Sequence, residues 1–205
     1  MGQSSNPNET GTKLTQVQYK ELIMHDMLHK LKERIVQGKG FLKNSPVPIF
    51  DFHLASTGAV LTTTLTTNPG RDKTDTNFTT LSWAADKVVA AGLNFIVPDD
   101  YDPIKDHLKL KLKAVSAGAT NTPTFDAVLY KDDDATTDLD PTISAALSAT
   151  LAWVEIDCSD QGLEAGDCIH IQVTPSAHST DAINVYGAKW EYRSTLVYAD
   201  RSSTR

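Results

Sequence analysis

His107-Leu108-Lys109-Leu110-Lys111-Leu112-Lys113-Ala114 decides how this chain folds. Leucine recurs at every second position with lysine between. Only an extended strand, whose side chains alternate with a period of two, gathers all three leucines on one face. One face is then dry and the other wet, the pattern of an antiparallel sheet packed on one side. The runs around it repeat this reading. Lys87 to Ala90 and Leu93 to Val97 are short strands around Gly92, and Thr124 to Tyr130 is another. Leu151 to Cys158 sets Val154, Ile156 and Cys158 on one face, and Asp167 to Thr174 does the same with Ile169, Ile171 and Val173. Asp181 to Val197 is long for one strand, and Gly187 within it marks a bulge or a close backbone approach. No helix of crossover length separates these runs. The expectation is an all-β protein: an antiparallel β-sandwich of jelly-roll type, with about eight strands or slightly more.

The preceding segment is mixed. Ile49 to Leu54 reads as a strand with Phe50 and Phe52 on one side, and Gly58 to Thr67 alternates Leu61, Thr63 and Leu65. Asn68-Pro69-Gly70 and the threonine-rich stretch to Thr80 read as exposed loop. Lys131 to Ser148 reads as an acidic connection with a short helical turn after Pro141. Further upstream the period changes. Val17, Met24, Leu28, Leu31 and Ile35 recur at three- and four-residue steps and share a face with Leu14 and Met27, which predicts an amphipathic helix over Leu14 to Gln37. Thr15 with Gln18 resembles a capping box, and Gly38 and Gly40 stop the helix. The chain thus divides into a polar arm with a helix, residues 1–47, and a β-module, residues 48–205. The stripe must bury against the β-module, the same helix of another copy, or a partner. Its five members are therefore candidate partner-binding residues.

Composition narrows the function classes. A chain of 205 residues, 40% hydrophobic and 22% charged, suits one domain with an appendage. No apolar run approaches the roughly 18 residues that cross a membrane. Met1 to Thr12 lacks the apolar stretch of a secretory signal, so the expectation is a chain kept in the cytoplasm or assembled there into a particle. The net charge of −7 is uneven: residues 1–43 carry +3 and the remainder −10. An acidic body is a poor match for nucleic acid, whose phosphates need a basic footprint.

Chemistry-bearing constellations are weak. His25 and His29 have helical zinc-ligand spacing and nearly spell H-E-x-x-H, but Asp26 replaces the glutamate and no clear third ligand follows. Asp132, Asp133, Asp134, Asp138 and Asp140 lack the alternate ligands and turn glycine of a calcium loop, and Asp99, Asp100 and Asp102 form a second acidic turn. His178, Ser179 and Asp181 have triad residue types, but there is no G-x-S-x-G elbow and no phosphate-cradling glycine loop. Cys158 and Cys168 occur without a CxxC at the facing ends of two strands, where a disulfide is possible if the register agrees; in a reducing cytoplasm they read as two buried thiols. The expectation is no enzyme, no metal and no cofactor. Among the aromatics, Tyr186, Trp190, Tyr192 and Tyr198 fall on one alternation face and read as core, with a sugar platform as the alternative. Trp153 points away from Val154 and Ile156 and is a candidate interface aromatic. The strand histidines, His107 and His170, fall on outward faces.

Several phrases carry a family likeness: Phe95-Ile96-Val97-Pro98-Asp99-Asp100-Tyr101-Asp102, Leu108 to Leu112, and Asp140-Pro141-Thr142-Ile143-Ser144. They continue with Gly166-Asp167 leading into Ile169-His170-Ile171, His178-Ser179-Thr180-Asp181, and Tyr186-Gly187-Ala188 to Glu191-Tyr192-Arg193-Ser194. About half the chain in this way resembles the jelly-roll capsid decoration (cement) proteins of tailed bacteriophages. The resemblance implies a structural virion protein, assembled in the host cytoplasm. It would sit on the outer capsid surface as a homo-oligomer, a trimer above all, and bridge subunits of the major capsid protein. The alternative is a receptor- or glycan-binding module of a phage tail or fibre, which exposed aromatics beside polar groups on one sheet face would favour.

Overall fold

The computed structural model describes residues 20–29, 41–59, 61, 69–75, 78–132 and 134–195. The chain divides into two units, Met1–Lys39 and Gly40–Arg205. In the first, residues 20–29 form a helix, α1. Met24 and Leu28 of the expected stripe lie on it and are exposed, as are Leu22, Ile23 and Met27. The expectations for Val17, Leu31 and Ile35 fall outside the described residues.

In the second unit the described strands are β1 (Phe41–Val47), β2 (His53–Leu54), β3 (Gly70–Asp75), β4 (Phe78–Trp83), β5 (Ala91–Ile96), β6 (Leu108–Ser116), β7 (Phe125–Lys131), β8 (Asp134–Leu139), β9 (Thr142–Ile143), β10 (Ala152–Asp157), β11 (Cys168–Pro175) and β12 (Ile183–Ser194). They form two antiparallel sheets. The seven-stranded sheet runs β3-β4-β12-β6-β10-β9, with β1 also paired to β12; the five-stranded sheet runs β2-β5-β11-β7-β8. From β4 to β7, and again from β10 to β12, the chain changes sheet at every step. Neighbours in a sheet are therefore rarely neighbours in sequence.

The lysine–leucine stretch lies at the centre. β6 sits between β12 and β10, and Leu108, Leu110, Leu112 and Ala114 are all buried. Each fully buried leucine contributes about 1.5–3 kcal/mol of transfer free energy. The two sheets share one core. Trp190 of β12 stacks on Phe95 of β5 at 4.5 Å, and Trp83 of β4 meets Phe125 of β7 at 5.8 Å. Such ring pairs add to plain burial because their edges and faces carry opposite partial charge.

Several local expectations are corrected. Phe41–Val47 is a strand paired with Ser194 through Ala188, so the boundary falls at Lys39/Gly40 and not after residue 47. The expected stop at Gly38 and Gly40 lies outside the described residues, and the segment that follows pairs along the open edge of β12. Ile49–Asp51 is a 3-10 turn ahead of the two-residue β2. Lys87 to Ala90 is not a strand. The threonine-rich loop contains the β3–β4 hairpin, and the expected turn after Pro141 is β9. Threonine's branched Cβ suits a strand as well as its hydroxyl suits a loop. Most of Gly58 to Thr67 lies outside the described residues.

The tyrosine reading changes as well. A bulge between Val185 and Gly187 inserts one extra residue into β12. Val185 and Ala188 are both buried as a result, and Trp190 and Tyr192 follow Ala188 inward. Tyr186 is left on the other face, half-buried and edge-on to the exposed Phe78. A β-carbon at Gly187 would meet nothing within 4 Å, so of the two readings of this glycine the bulge holds and the close approach does not. Tyr198 lies outside the described residues.

Leu110→Ala is expected to cost roughly 2–5 kcal/mol, read from urea denaturation. A chain beginning at Gly40 is expected to keep the urea midpoint of the β-body. One beginning at Pro48 is expected to lose stability, because it strips β1 from the edge of β12. Equal midpoints for the two truncations would contradict the boundary.

Candidate functional site

The outer face of the five-stranded sheet is built by alternation on four strands. β5 turns Ala91, Leu93 and Phe95 inward, leaving Gly92, Asn94 and Ile96 outside. On β11 the inward residues are Ile169, Ile171 and Val173, and the outward ones are His170 and Gln172. β7 contributes Val128 and Tyr130, and β2 contributes His53. Register joins them into rows: His170 opposes both Asn94 and Tyr130, while Gly92 opposes both His53 and Gln172.

Three near-parallel rings cross this face. His53 and His170 have centroids 5.3 Å apart, and Tyr130 lies 6.4 Å beyond His170. Gly92 makes room for them. A β-carbon there would lie 2.7 Å from His170 Cε1 and 2.7 Å from His53 Nε2, so any side chain displaces both imidazoles. Asn94 Oδ1 accepts a 2.7 Å hydrogen bond from His170 Nδ1, which leaves the lone pair of the neutral ring on Nε2. Burial, reinforced by neighbouring His53, lowers the His170 pKa from its ordinary value of 6.5, and the ring is neutral at pH 7. Apart from Asp126 near one end, the residues turned outward from β2, β5, β7 and β11 include no Asp, Glu, Lys or Arg.

The outer face of the seven-stranded sheet is the opposite in character. Lys109 reaches Glu155 at 3.1 Å and Asp157 at 3.0 Å, while Lys111 reaches Glu155 at 2.8 Å and Glu191 at 3.0 Å. His107 lies 3.3 Å from Glu191. The Lys111 hydrogen bond is the largest influence on Glu155, and together with Lys109 it holds this carboxyl below its usual range. Burial alone would raise Glu191, but Lys111 and His107 outweigh it and bring it down. Trp153, 44% exposed, closes the ladder under two ammonium groups, Lys113 at 5.5 Å and Lys189 at 5.1 Å from its ring centre. Lys189 stands directly opposite Lys111, and turning onto the indole draws it away from that like charge. Trp153 is therefore exposed as expected, with its ring engaged by the protein's own cations.

The remaining constellations are not assembled into sites. His178 is buried, and its ring nitrogens face the carbonyls of Ser176 and Ala84 at 2.7 and 3.1 Å. Asp181 accepts from the Asn121 amide at 2.8 Å and fills the space a side chain at Gly118 would need. These two residues pin loops and do not form a triad with Ser179. Asp132 accepts from the Cys168 backbone N–H at 3.0 Å and ties the turn between β7 and β8 to the start of β11. No group of three or more candidate metal ligands occurs among the described residues. The cysteines are free and differ from expectation: Cys158 is buried, with its thiol pushed up to about 12 by desolvation, but Cys168 is exposed. Cys168 begins β11 at an outward position, whereas Cys158 follows β10 into the core. No helix among the described residues is long and apolar enough to cross a membrane.

No protein-family model matches the sequence, and no curated protein is similar to it. Among solved structures, a family 35 carbohydrate-binding module from Cellvibrio japonicus is similar with a TM-score of 0.44 and 10% identity, over 76% of this chain and 99% of that one. A family 29 carbohydrate-binding module from Piromyces equi is similar with a TM-score of 0.39 and 13% identity, over 74% and 80% of the two chains. At these TM-scores the likeness carries no argument about the ligand of this chain.

The His170 titration midpoint, read by NMR, is expected below 6.5 and should move toward it in His53→Ala. Burial keeps the variant's midpoint low, and an unchanged midpoint would contradict the pairing. For the ion ladder, Glu155 and Glu191 have folded pKa values below 4.5. The stability they contribute is complete above that value and lost as pH falls through the folded values. The urea-midpoint gap between wild type and Glu155→Gln/Glu191→Gln should hold from about pH 5 to 9 and close at lower pH and in high salt.

Proposed function

We propose that this protein is a non-catalytic binding component of a larger assembly, with the N-terminal unit as its anchor and the β-body as its head. The observation that carries the anchor is α1. It presents Leu22, Ile23, Met24, Met27 and Leu28 exposed, on a unit distinct from the β-body. A cluster of large apolar side chains on one short helix marks an association surface. The resemblance to phage decoration proteins gives the finer form of this reading. The chain would be a virion protein of the outer capsid, anchored on the major capsid protein through the stripe from Val17 to Ile35 and self-associated as a trimer. Its acidic body suits a protein partner better than nucleic acid. Arms that tie several weak contacts together gain affinity through effective concentration.

A second reading concerns the head, and a specific observation favours it. The row of His53, His170 and Tyr130, with Asn94 and Gln172 beside it and no Asp, Glu, Lys or Arg among them, suits recognition of a receptor or glycan better than it suits bridging capsid subunits. Attachment by the arm and recognition by the head fit in one molecule.

Deleting Met1 to Gly38 is expected to leave the β-body folded and to abolish co-sedimentation with capsids. A truncated protein that occupied capsids fully would overturn the anchoring role.

A further inference from the structure

We infer that the outer face of the five-stranded sheet, with His53, Asn94, Tyr130, His170 and Gln172 arranged over Gly92, is a binding site for a neutral saccharide chain; this rests on the recognition reading of the head. Three observations support it together. First, His53, Asn94, Tyr130, His170 and Gln172 include no Asp, Glu, Lys or Arg in a chain that is 22% charged, the exposed acids of this sheet including Asp126 on β7 and Asp138 on the edge strand β8, while the opposite face of the body is a dense ion ladder. The difference is one of chemistry and not of position, since both are outer faces of sheets covering one core. Second, the groups present suit hydroxyls. Asn94 has an amide NH2 beyond the bond it accepts, His170 has a free acceptor at Nε2, Gln172 brings a second amide and Tyr130 a phenol. Third, the imidazoles of His53 and His170 lie over a position where a single β-carbon would displace them. The result is a strip of near-parallel rings stacked on one another, a partly apolar surface that a sugar ring can lie against.

The same features exclude other occupants. A nucleic acid or an acidic glycan needs cations, and no lysine or arginine faces outward among these residues; Asp126 at one end would repel an anion. The core of a protein interface is rich in large apolar and arginine side chains, and here the one exposed large apolar residue is Ile96 at the margin.

The test uses the full-length protein and soluble cello-, manno-, xylo- and galacto-oligosaccharides, with oligogalacturonate and sialyllactose as charged counterparts. Binding is read by isothermal titration calorimetry on wild type, Gly92→Ala, His170→Ala and Trp153→Ala, each checked for an unchanged melting temperature. The expected result is that at least one neutral series binds in the micromolar to millimolar range. His170→Ala and Gly92→Ala should weaken it tenfold or more, and Trp153→Ala should leave it unchanged. Neutral binding lost in Trp153→Ala but kept in both strip variants would overturn the site and leave the recognition reading standing. Binding of the charged sugars alone would overturn the ligand class. If no sugar bound, and light scattering showed self-association that His170→Ala abolished, the face would belong to a second copy. The inference and the recognition reading would then fall together.

Discussion

Strand β12 carries the rest of the β-body, and the bulge at Gly187 lets it do so. On one side β12 pairs with β6 along most of its length. On the other it pairs with two strands in succession: β4 opposite Ile183 to Val185, then β1 opposite Ala188 to Ser194. An unbulged strand of this length would keep one alternation throughout. Val185 and Trp190 would then point to opposite faces, and one half of the strand would expose its apolar set. The extra residue resets the alternation, so both halves bury their large residues in one core. Trp190 can then stack on Phe95 of the other sheet, and Trp83 reaches Phe125.

With the interior settled by these contacts, the two outer faces are free to differ. On the seven-stranded sheet the lysines of β6 are enclosed by acidic residues of β10 and β12, and the charges neutralise one another across strands. Such a face is well solvated and already satisfied by its own partners. On the five-stranded sheet the outward positions hold imidazole, amide and phenol groups. Few of their polar atoms are spent within the molecule: His170 Nδ1 is engaged by Asn94, while Nε2 is available. A surface whose hydrogen-bonding capacity is unspent, and whose main imidazole is held neutral by burial, is suited to an uncharged polar ligand.

Much of this was legible from the sequence, and the limits were physical. Leu108, Leu110 and Leu112 announced a half-buried strand because their period is local. β10 and β11 were legible for the same reason. Gly187 pointed to a bulge, but its consequence for Tyr186 depended on counting the inserted residue, which single-period reasoning did not do. β1 and the β3–β4 hairpin were missed because their segments lack a continuous apolar alternation and are held by the edges they pair with. The His53–His170–Tyr130 row was missed for a different reason. His170 could be placed outward from its strand alone, but its neighbours come from β2, β5 and β7, which are remote in sequence. Cross-strand register decides that proximity. The one available signal was the run of uncharged outward positions, Asn94, Tyr130, His170 and Gln172.

On the proposed reading, one sheet face of the β-body recognises a ligand while the other serves the fold. Amide chemical-shift mapping of the full-length protein during titration with a neutral oligosaccharide separates the two faces. Perturbations are expected to cluster at Gly92, Asn94, Tyr130, His170 and Gln172, with Lys109, Lys111, Glu155 and Glu191 unmoved. Perturbations centred on Lys113, Trp153 and Lys189, with the His170 row unchanged, would contradict it.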